Sequence, residues 1–172
     1  MAWEIERRFV ARVEEDVWPR LGQGRRFRQG YLVAGDPSVR IRTGEERGAV
    51  LACKGGRGIR RTEFETVVSE QMARMLLVAA ADRVIEKVRW RLGPWELDRF
   101  LGPLEGLTLL EIELGNEGDA LPDAPEGVHV LREVTEDNRF ISSVLATSSR
   151  AKQKELVKTA YQEGDPCSSS DA

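Results

Sequence analysis

Leu110-Glu111-Ile112-Glu113-Leu114 alternates strictly, with carboxylates on one parity and branched apolar side chains on the other. Residues two apart in a strand point to the same face, so this stretch projects two acids side by side. Working outward, the same arrangement recurs as Glu4/Glu6, Arg40/Arg42, Glu63/Glu65, Lys87/Arg89 and Glu96/Asp98, with Arg8 and Lys54 as single positions of the same kind. The solvated face of an antiparallel strand accounts for any one such pair. Six pairs strain that account, because like charges on neighbouring sheet positions lose a few tenths to about 1 kcal/mol and a water-facing sheet gains by mixing signs. The opposite parity is apolar in several strands, as at Val39 and Ile41, and needs burial against helices. A closed barrel with helices packed outside and a charged lumen satisfies both demands. Small barrels ordinarily fill their interior with apolar side chains, so a charged lumen points to function.

Alternation predicts eight strands, at 3–13, 29–33, 38–43, 49–54, 62–69, 83–92, 95–100 and 107–114. Gly44, Gly48, the Gly55-Gly56-Arg57-Gly58 stretch and Gly93-Pro94 punctuate them as tight connections. The glycine stretch lacks the Gly-Lys-Ser/Thr ending and following helix of a phosphate loop, and reads as a hairpin connection. Around Trp18-Pro19 the chain reads as a short helix or loop. Ser69 caps a helix whose Met72, Met75, Leu76 and Ala79 form a core stripe. Thr135 opens another, with Glu136 and Asp137 in its first turn and Phe140, Ile141, Val144 and Leu145 as its apolar face. The expected class is therefore mainly β (α+β), with two or three helices. Residues 1–150 form one barrel domain, and 151–172 a helical extension with a polar tail that reads as disordered.

The chain has 172 residues, a length that suits a single domain, and 41% of them are hydrophobic, which excludes a wholly disordered polymer. Charged residues reach 32%, above the roughly 25% of ordinary domains, yet 26 Lys+Arg against 29 Asp+Glu leave a net charge of only −3. That balance argues against a nucleic-acid coat or a polybasic membrane binder. Cys53 and Cys167 cannot build a disulfide framework and read as free thiols. The opening MAWEIERRFV carries charges where a signal peptide needs an apolar stretch, so a soluble, cytoplasmic protein without a membrane partner is expected. His129 is the sole histidine, which rules out a multi-histidine metal site and leaves carboxylates as metal ligands.

A lumen holding acids and bases together suggests a definite ligand. Arginine forks suit phosphate oxygens, but the acids would repel a bare polyanion. Mg²⁺ or Mn²⁺ reconciles the two, since these ions prefer carboxylate oxygen and bridge to phosphates. The pattern points to metal-dependent chemistry on a polyphosphate.

The opening Glu4-Ile5-Glu6-Arg7-Arg8-Phe9 resembles the ExExK signature of the CYTH superfamily, the triphosphate tunnel metalloenzymes. Further stretches are similar to its short bacterial inorganic triphosphatases in the right order: Gln29-Gly30-Tyr31-Leu32, Val39-Arg40-Ile41-Arg42, Lys54-Gly55, Arg61-Thr62-Glu63-Phe64-Glu65, and Lys87-Val88-Arg89-Trp90. Trp95-Glu96-Leu97-Asp98, Glu111-Ile112-Glu113-Leu114 and Val134-Thr135-Glu136-Asp137-Asn138-Arg139-Phe140 continue the set, over roughly residues 3–146. The resemblance implies an eight-stranded antiparallel barrel tunnel that hydrolyses triphosphates with Mg²⁺ or Mn²⁺, inorganic tripolyphosphate being the favoured substrate. A class IV adenylyl cyclase and a triphosphate-binding module without turnover are the alternatives. By resemblance Glu4, Glu6, Glu111 and Glu113 hold metal, and Arg8, Arg40, Arg42, Lys54, Lys87, Arg89 and Arg139 hold phosphate. Tyr31, close to Lys87, is the implied proton acceptor. Glu63, Glu65, Glu96 and Asp98 orient the basic groups or the attacking water. Family members are often dimers, so a homodimer is a further implication. Arg8 departs from the signature, which ends in lysine.

Overall fold

The computed structural model describes residues 2–45, 48–56 and 59–162. The strands β1 (Ala2–Val13), β2 (Arg25–Ala34), β3 (Ser38–Glu45), β4 (Gly48–Gly55) and β5 (Arg60–Val68) are followed by helix α1 (Glu70–Ala80). Next come β6 (Val84–Leu92), β7 (Trp95–Phe100), β8 (Thr108–Leu114) and β9 (Val128–Glu133), then α2 (Ser142–Thr147) and α3 (Arg150–Ala160). The sheet order is β5-β4-β3-β2-β6-β7-β8-β1-β9, and a further β5–β1 pairing closes the first eight strands into a barrel. The fold is mainly β, as the alternation predicts.

The ninth strand escaped the alternation because its burial does not alternate: Val128 is buried while His129 and Val130 are exposed. It exists because β1 outlasts its first partner. Ala2–Ile5 pair with β5, and Phe9–Val13, beyond the reach of β5, pair with β9 instead. β2 likewise begins four residues earlier than expected, so Arg26 and Arg28 sit on an outer strand face beside Glu86 rather than on a loop.

Three apolar clusters hold the barrel. On its outer wall Phe9, Trp95, Leu97, Leu110 and Ile112 pack under two segments: 14–24, with its short 3-10 helix Trp18–Leu21 where a short helix or loop is expected, and 115–127. Trp95 Nε1 donates to the Asp123 carbonyl at 2.9 Å and Trp90 Nε1 to that of Gly22 at 3.1 Å, pinning both segments. Elsewhere on the outside α1 covers Ile41 and Ala49. Its N-terminus is capped by Ser69, which accepts from the Met72 amide as expected. Its buried stripe, however, is Ala73 and Ala80 with Leu76 and Leu77, while Met72 and Met75 face outward, Met75 being 63% exposed. The helix packs closely on β2: a Cβ on Gly30 would stand 2.8 Å from the Ala80 Cβ and 3.1 Å from Leu77 Cδ2, so the face carrying Ala73, Leu77 and Ala80 turns inward.

The third cluster lies inside one end of the barrel. Val10, Tyr31, Ile85, Phe100 and Leu109 meet Phe140 and Leu145 of the 138–147 segment and Leu156 and Ala160 of α3. Gln153 donates to the Leu145 carbonyl at 2.7 Å, and the Tyr161 hydroxyl to that of Gly106 at 2.9 Å, so α3 seals this end. The helix expected to open at Thr135 begins only at Ser142, after a 3-10 turn at Asn138–Phe140. Thr135 is otherwise engaged: its hydroxyl accepts the Arg8 amide at 3.0 Å and donates to Glu133 at 2.7 Å. Asp137 caps the turn in its place. Cys53 is a half-buried free thiol. Cys167, Arg57, Gly58 and the polar tail lie outside the described residues, as does the side chain of Trp3.

Candidate active site

Above the apolar floor opens a cavity of about 650 Å³, lined by Glu4, Glu6, Arg8, Tyr31, Arg40, Arg42, Lys54, Glu63, Glu65, Lys87, Arg89, Glu96, Glu111 and Glu113. The parity of each strand delivers these side chains inward. Asp98, completely buried, stands behind them and accepts from both Lys87 and Arg89. Arg139 is the exception among the expected residues. It does not line the cavity, and its guanidinium turns outward to Asp137 at 2.7 Å, two positions back on the same turn.

Like charges run along each strand, but opposite charges meet across strands. Arg89 stands opposite Asp98, Arg91 opposite Glu96, Lys54 opposite Glu63 and Arg8 opposite Glu111. On one wall Lys54 Nζ lies 2.6 Å from Glu4 and 3.2 Å from Glu63, and Arg40 lies 3.3 Å from Glu63. Arg42 reaches Glu65 at 3.4 Å. On the other wall Arg89 contacts Asp98 at 2.5 Å, Glu111 at 2.6 Å and also Glu96. Such buried pairs add little net stability, because desolvation offsets their attraction. They hold charged groups in place.

Three juxtapositions among the described residues break the rule of opposite signs: Glu6 faces Glu113, Glu96 faces Glu111, and Arg25 faces Arg89. Arg89 bridges the second pair. In the first, Arg8 takes Glu6, and Glu113 has no cationic partner among the described residues. Burial and the neighbouring charges of Glu4, Glu6 and Glu96 push the Glu113 carboxyl up, which is the signature of negative charge in excess. Glu111 behaves oppositely: although buried, it is held well below the usual carboxylate range by Arg8, Lys87 and Arg89. Burial pushes Glu63 up to about 7, Glu4 and Glu65 adding to the rise against Lys54 and Arg40. Burial, then Arg89, draws Lys87 down.

Among the described residues no three carboxylate, thiol or imidazole groups converge at metal-ligand spacing, their oxygens being turned to lysine and arginine nitrogens. The donor set nevertheless fits a hard divalent cation, since it is all oxygen and leaves uncompensated charge around Glu113. Arg40 Nε, buried, has no hydrogen-bond partner among the described residues, nor does Gln29 Oε1. An orphaned buried donor costs about 1–3 kcal/mol, and a phosphate oxygen would satisfy it. Tyr31 sits where charged lumen meets apolar floor; its phenol oxygen accepts from Gln29 Nε2, whereas Lys87 is bound to Asp98.

Sequence reasoning missed Ser38, Arg61 and Arg91, which also line the cavity. Each lies two positions from a named pair on the same strand, so parity alone would have found them. Asp36 and Asn138 line it from connections, where no periodicity marks them.

Fold and site together define a barrel enzyme class that grips a polyanion in a charged lumen. No family model matches the chain. It is 35% identical over 161 residues to the inorganic triphosphatase of Acetivibrio thermocellus, an alignment spanning 90% of this chain and 100% of that protein. A second inorganic triphosphatase, from Nitrosomonas europaea, is 35% identical over 130 residues, 71% of this chain and 84% of that one. The crystal structure of the inorganic triphosphatase NE1496 superposes with a TM-score of 0.58 at 30% identity, covering 87% of this chain and 97% of that one. The chain belongs to the CYTH-type inorganic triphosphatase family.

Proposed function

We propose that this enzyme hydrolyses inorganic tripolyphosphate to pyrophosphate and phosphate inside the barrel, with Mg²⁺ or Mn²⁺. One observation carries the reading: a single cavity holds a bank of lysines and arginines beside a carboxylate cluster whose Glu113 makes no ion pair among the described residues. A polyphosphate and its divalent ion supply the two missing partners. Both relatives carry the triphosphatase name, which favours hydrolysis over cyclisation.

Glu4, Glu6, Glu111 and Glu113 would hold the metal. When bound, it neutralises phosphate charge and fixes the orientation of the phosphate oxygens. Arg40, Arg42 and Lys54 on one wall, and Lys87 and Arg89 on the other, bind the chain of phosphates and stabilise charge developing on the leaving pyrophosphate. Their carboxylate partners keep them extended into the lumen, so little reorganisation accompanies binding. A water molecule attacks the terminal phosphorus, and the bond from that phosphorus to its bridging oxygen breaks. Tyr31, Glu63 and Glu65 are the candidate proton acceptors on the Arg40 wall. The apolar floor formed by Val10, Phe100 and Leu145 lines the far end of the barrel. No described helix is long and apolar enough to cross a membrane, and we assign the activity to the cytoplasm.

Incubation with Mn²⁺ or Mg²⁺ and either tripolyphosphate or ATP tests the reading. Equimolar phosphate and pyrophosphate from tripolyphosphate are expected. Cyclic AMP formed from ATP would put a cyclase in its place, and binding without product would leave a non-catalytic module.

A further inference from the structure

Arg8 stands where the family signature has lysine, and the structure engages its planar fork on three sides. All three guanidinium nitrogens are committed to protein acceptors. Nε donates to Glu111 at 2.5 Å, Nη2 to Glu6, and Nη1 to the Phe140 carbonyl at 3.3 Å. The residue is 4% exposed. Its main chain is held as well, the amide by Thr135 at 3.0 Å and the carbonyl by the Val134 amide at 2.8 Å. The fork therefore ties β1, β8 and the Asn138–Phe140 turn together, three of its five N–H donors going to protein acceptors.

We propose that Arg8 is a positioning residue for the metal carboxylates: a permanent internal cation seated on Glu6 and Glu111, which competes with the divalent ion instead of gripping substrate. Guanidinium never deprotonates in a protein, and its planar fork spans two carboxylates at once. Metal then enters against this fixed charge, on the side of Glu4 and Glu113, where no cation of the described residues sits on Glu113. A lysine at position 8 keeps the charge and, like Lys54, can touch two carboxylates, but it loses the rigid planar fork that fixes Glu6, Glu111 and the Phe140 carbonyl together. The two carboxylates are then held less firmly and open to the metal. The inference rests on the metal-dependent reading above.

The test is equilibrium Mn²⁺ binding in the absence of any phosphate, read by the electron paramagnetic resonance of free Mn²⁺, for the wild type, Arg8→Lys and Arg8→Gln. Thermal melts establish that each variant is folded. The expected result is Mn²⁺ binding about tenfold tighter in both variants, the order of magnitude expected when a competing cation near the carboxylates is removed or loosened. At saturating Mn²⁺, KM for tripolyphosphate should change less than about threefold. Unchanged or weaker Mn²⁺ binding, or a KM raised about tenfold with metal affinity intact, would overturn the proposal and return Arg8 to the phosphate. A wild type that binds no Mn²⁺ would instead overturn the metal reading itself, and this inference with it. Wild-type protein alone gives an independent reading by nuclear magnetic resonance. Mg²⁺ without phosphate should shift the Arg8 Nε–H signal, and metal-free tripolyphosphate should not; the reverse pattern contradicts the assignment.

Discussion

Asp98 has no exposed surface and accepts from two cations, Lys87 and Arg89, that both point into the cavity. Truncating it strands two buried charges, and removing one partner of a buried pair costs about 3–5 kcal/mol. Asp98→Ala should therefore lower unfolding stability by an amount of that order, seen as a reduced urea midpoint. Glu63 offers a pH signature. Its folded-state pKa is raised to about 7 by burial, so the folded chain binds more protons than the unfolded one below that value. Stability is then lost as pH rises through about 7. Glu63→Gln removes this loss, so the difference in urea midpoint should move in the variant's favour between about pH 5 and about pH 8. A pH-independent difference would show that Glu63 ionises normally. At this scale strand parity carried most of the site, because a period of two needs no knowledge of partners. Arg139, expected from the resemblance and not from parity, lies on the turn Asn138–Phe140, where its guanidinium pairs with Asp137.

Elements were readable where a local rule and the tertiary fold agree. Ser69 caps α1 as its position suggests, and eight alternating segments are strands. The misreadings share one cause, a tertiary partner that outbids the local rule. Thr135 makes a good N-cap in isolation, but the Arg8 amide and Glu133 claim its hydroxyl. β9 forms because the second half of β1 needs an edge partner, a requirement that no segment announces in its own residues. On α1, methionines at helical spacing suggest a core stripe, yet the face that closes on Gly30 carries Ala73, Leu77 and Ala80 instead. Two substitutions test that geometry by thermal melting. Met75→Lys, on the outward face, should change stability by less than about 0.5 kcal/mol. Gly30→Ala should destabilise by about 1–3 kcal/mol, since the added methyl group overpacks the contact with Ala80.

For the whole molecule, closure of β5 onto β1 turns six like-charged pairs into the facing walls of one cavity, where cross-strand opposites hold them in place. Composition conceals this, because acids and bases cancel to a net charge of −3. The apolar floor was harder to foresee, as it joins strand ends to helices distant in sequence. Leu145, 1% exposed beneath α3, anchors it. Leu145→Ala should cost about 2–5 kcal/mol in chemical unfolding, as for other buried leucines. The central claim is that the Glu4 and Glu113 side of the lumen holds the ion on which hydrolysis depends. The most direct measurement is the initial rate of phosphate release from tripolyphosphate with Mn²⁺, compared between wild type, Glu4→Ala and Glu113→Ala. Both variants, folded by their melts, should fall by about 100-fold or more, and chelation should silence the wild type. A near-normal rate in either variant, or a wild-type rate that survives chelation, would contradict the account.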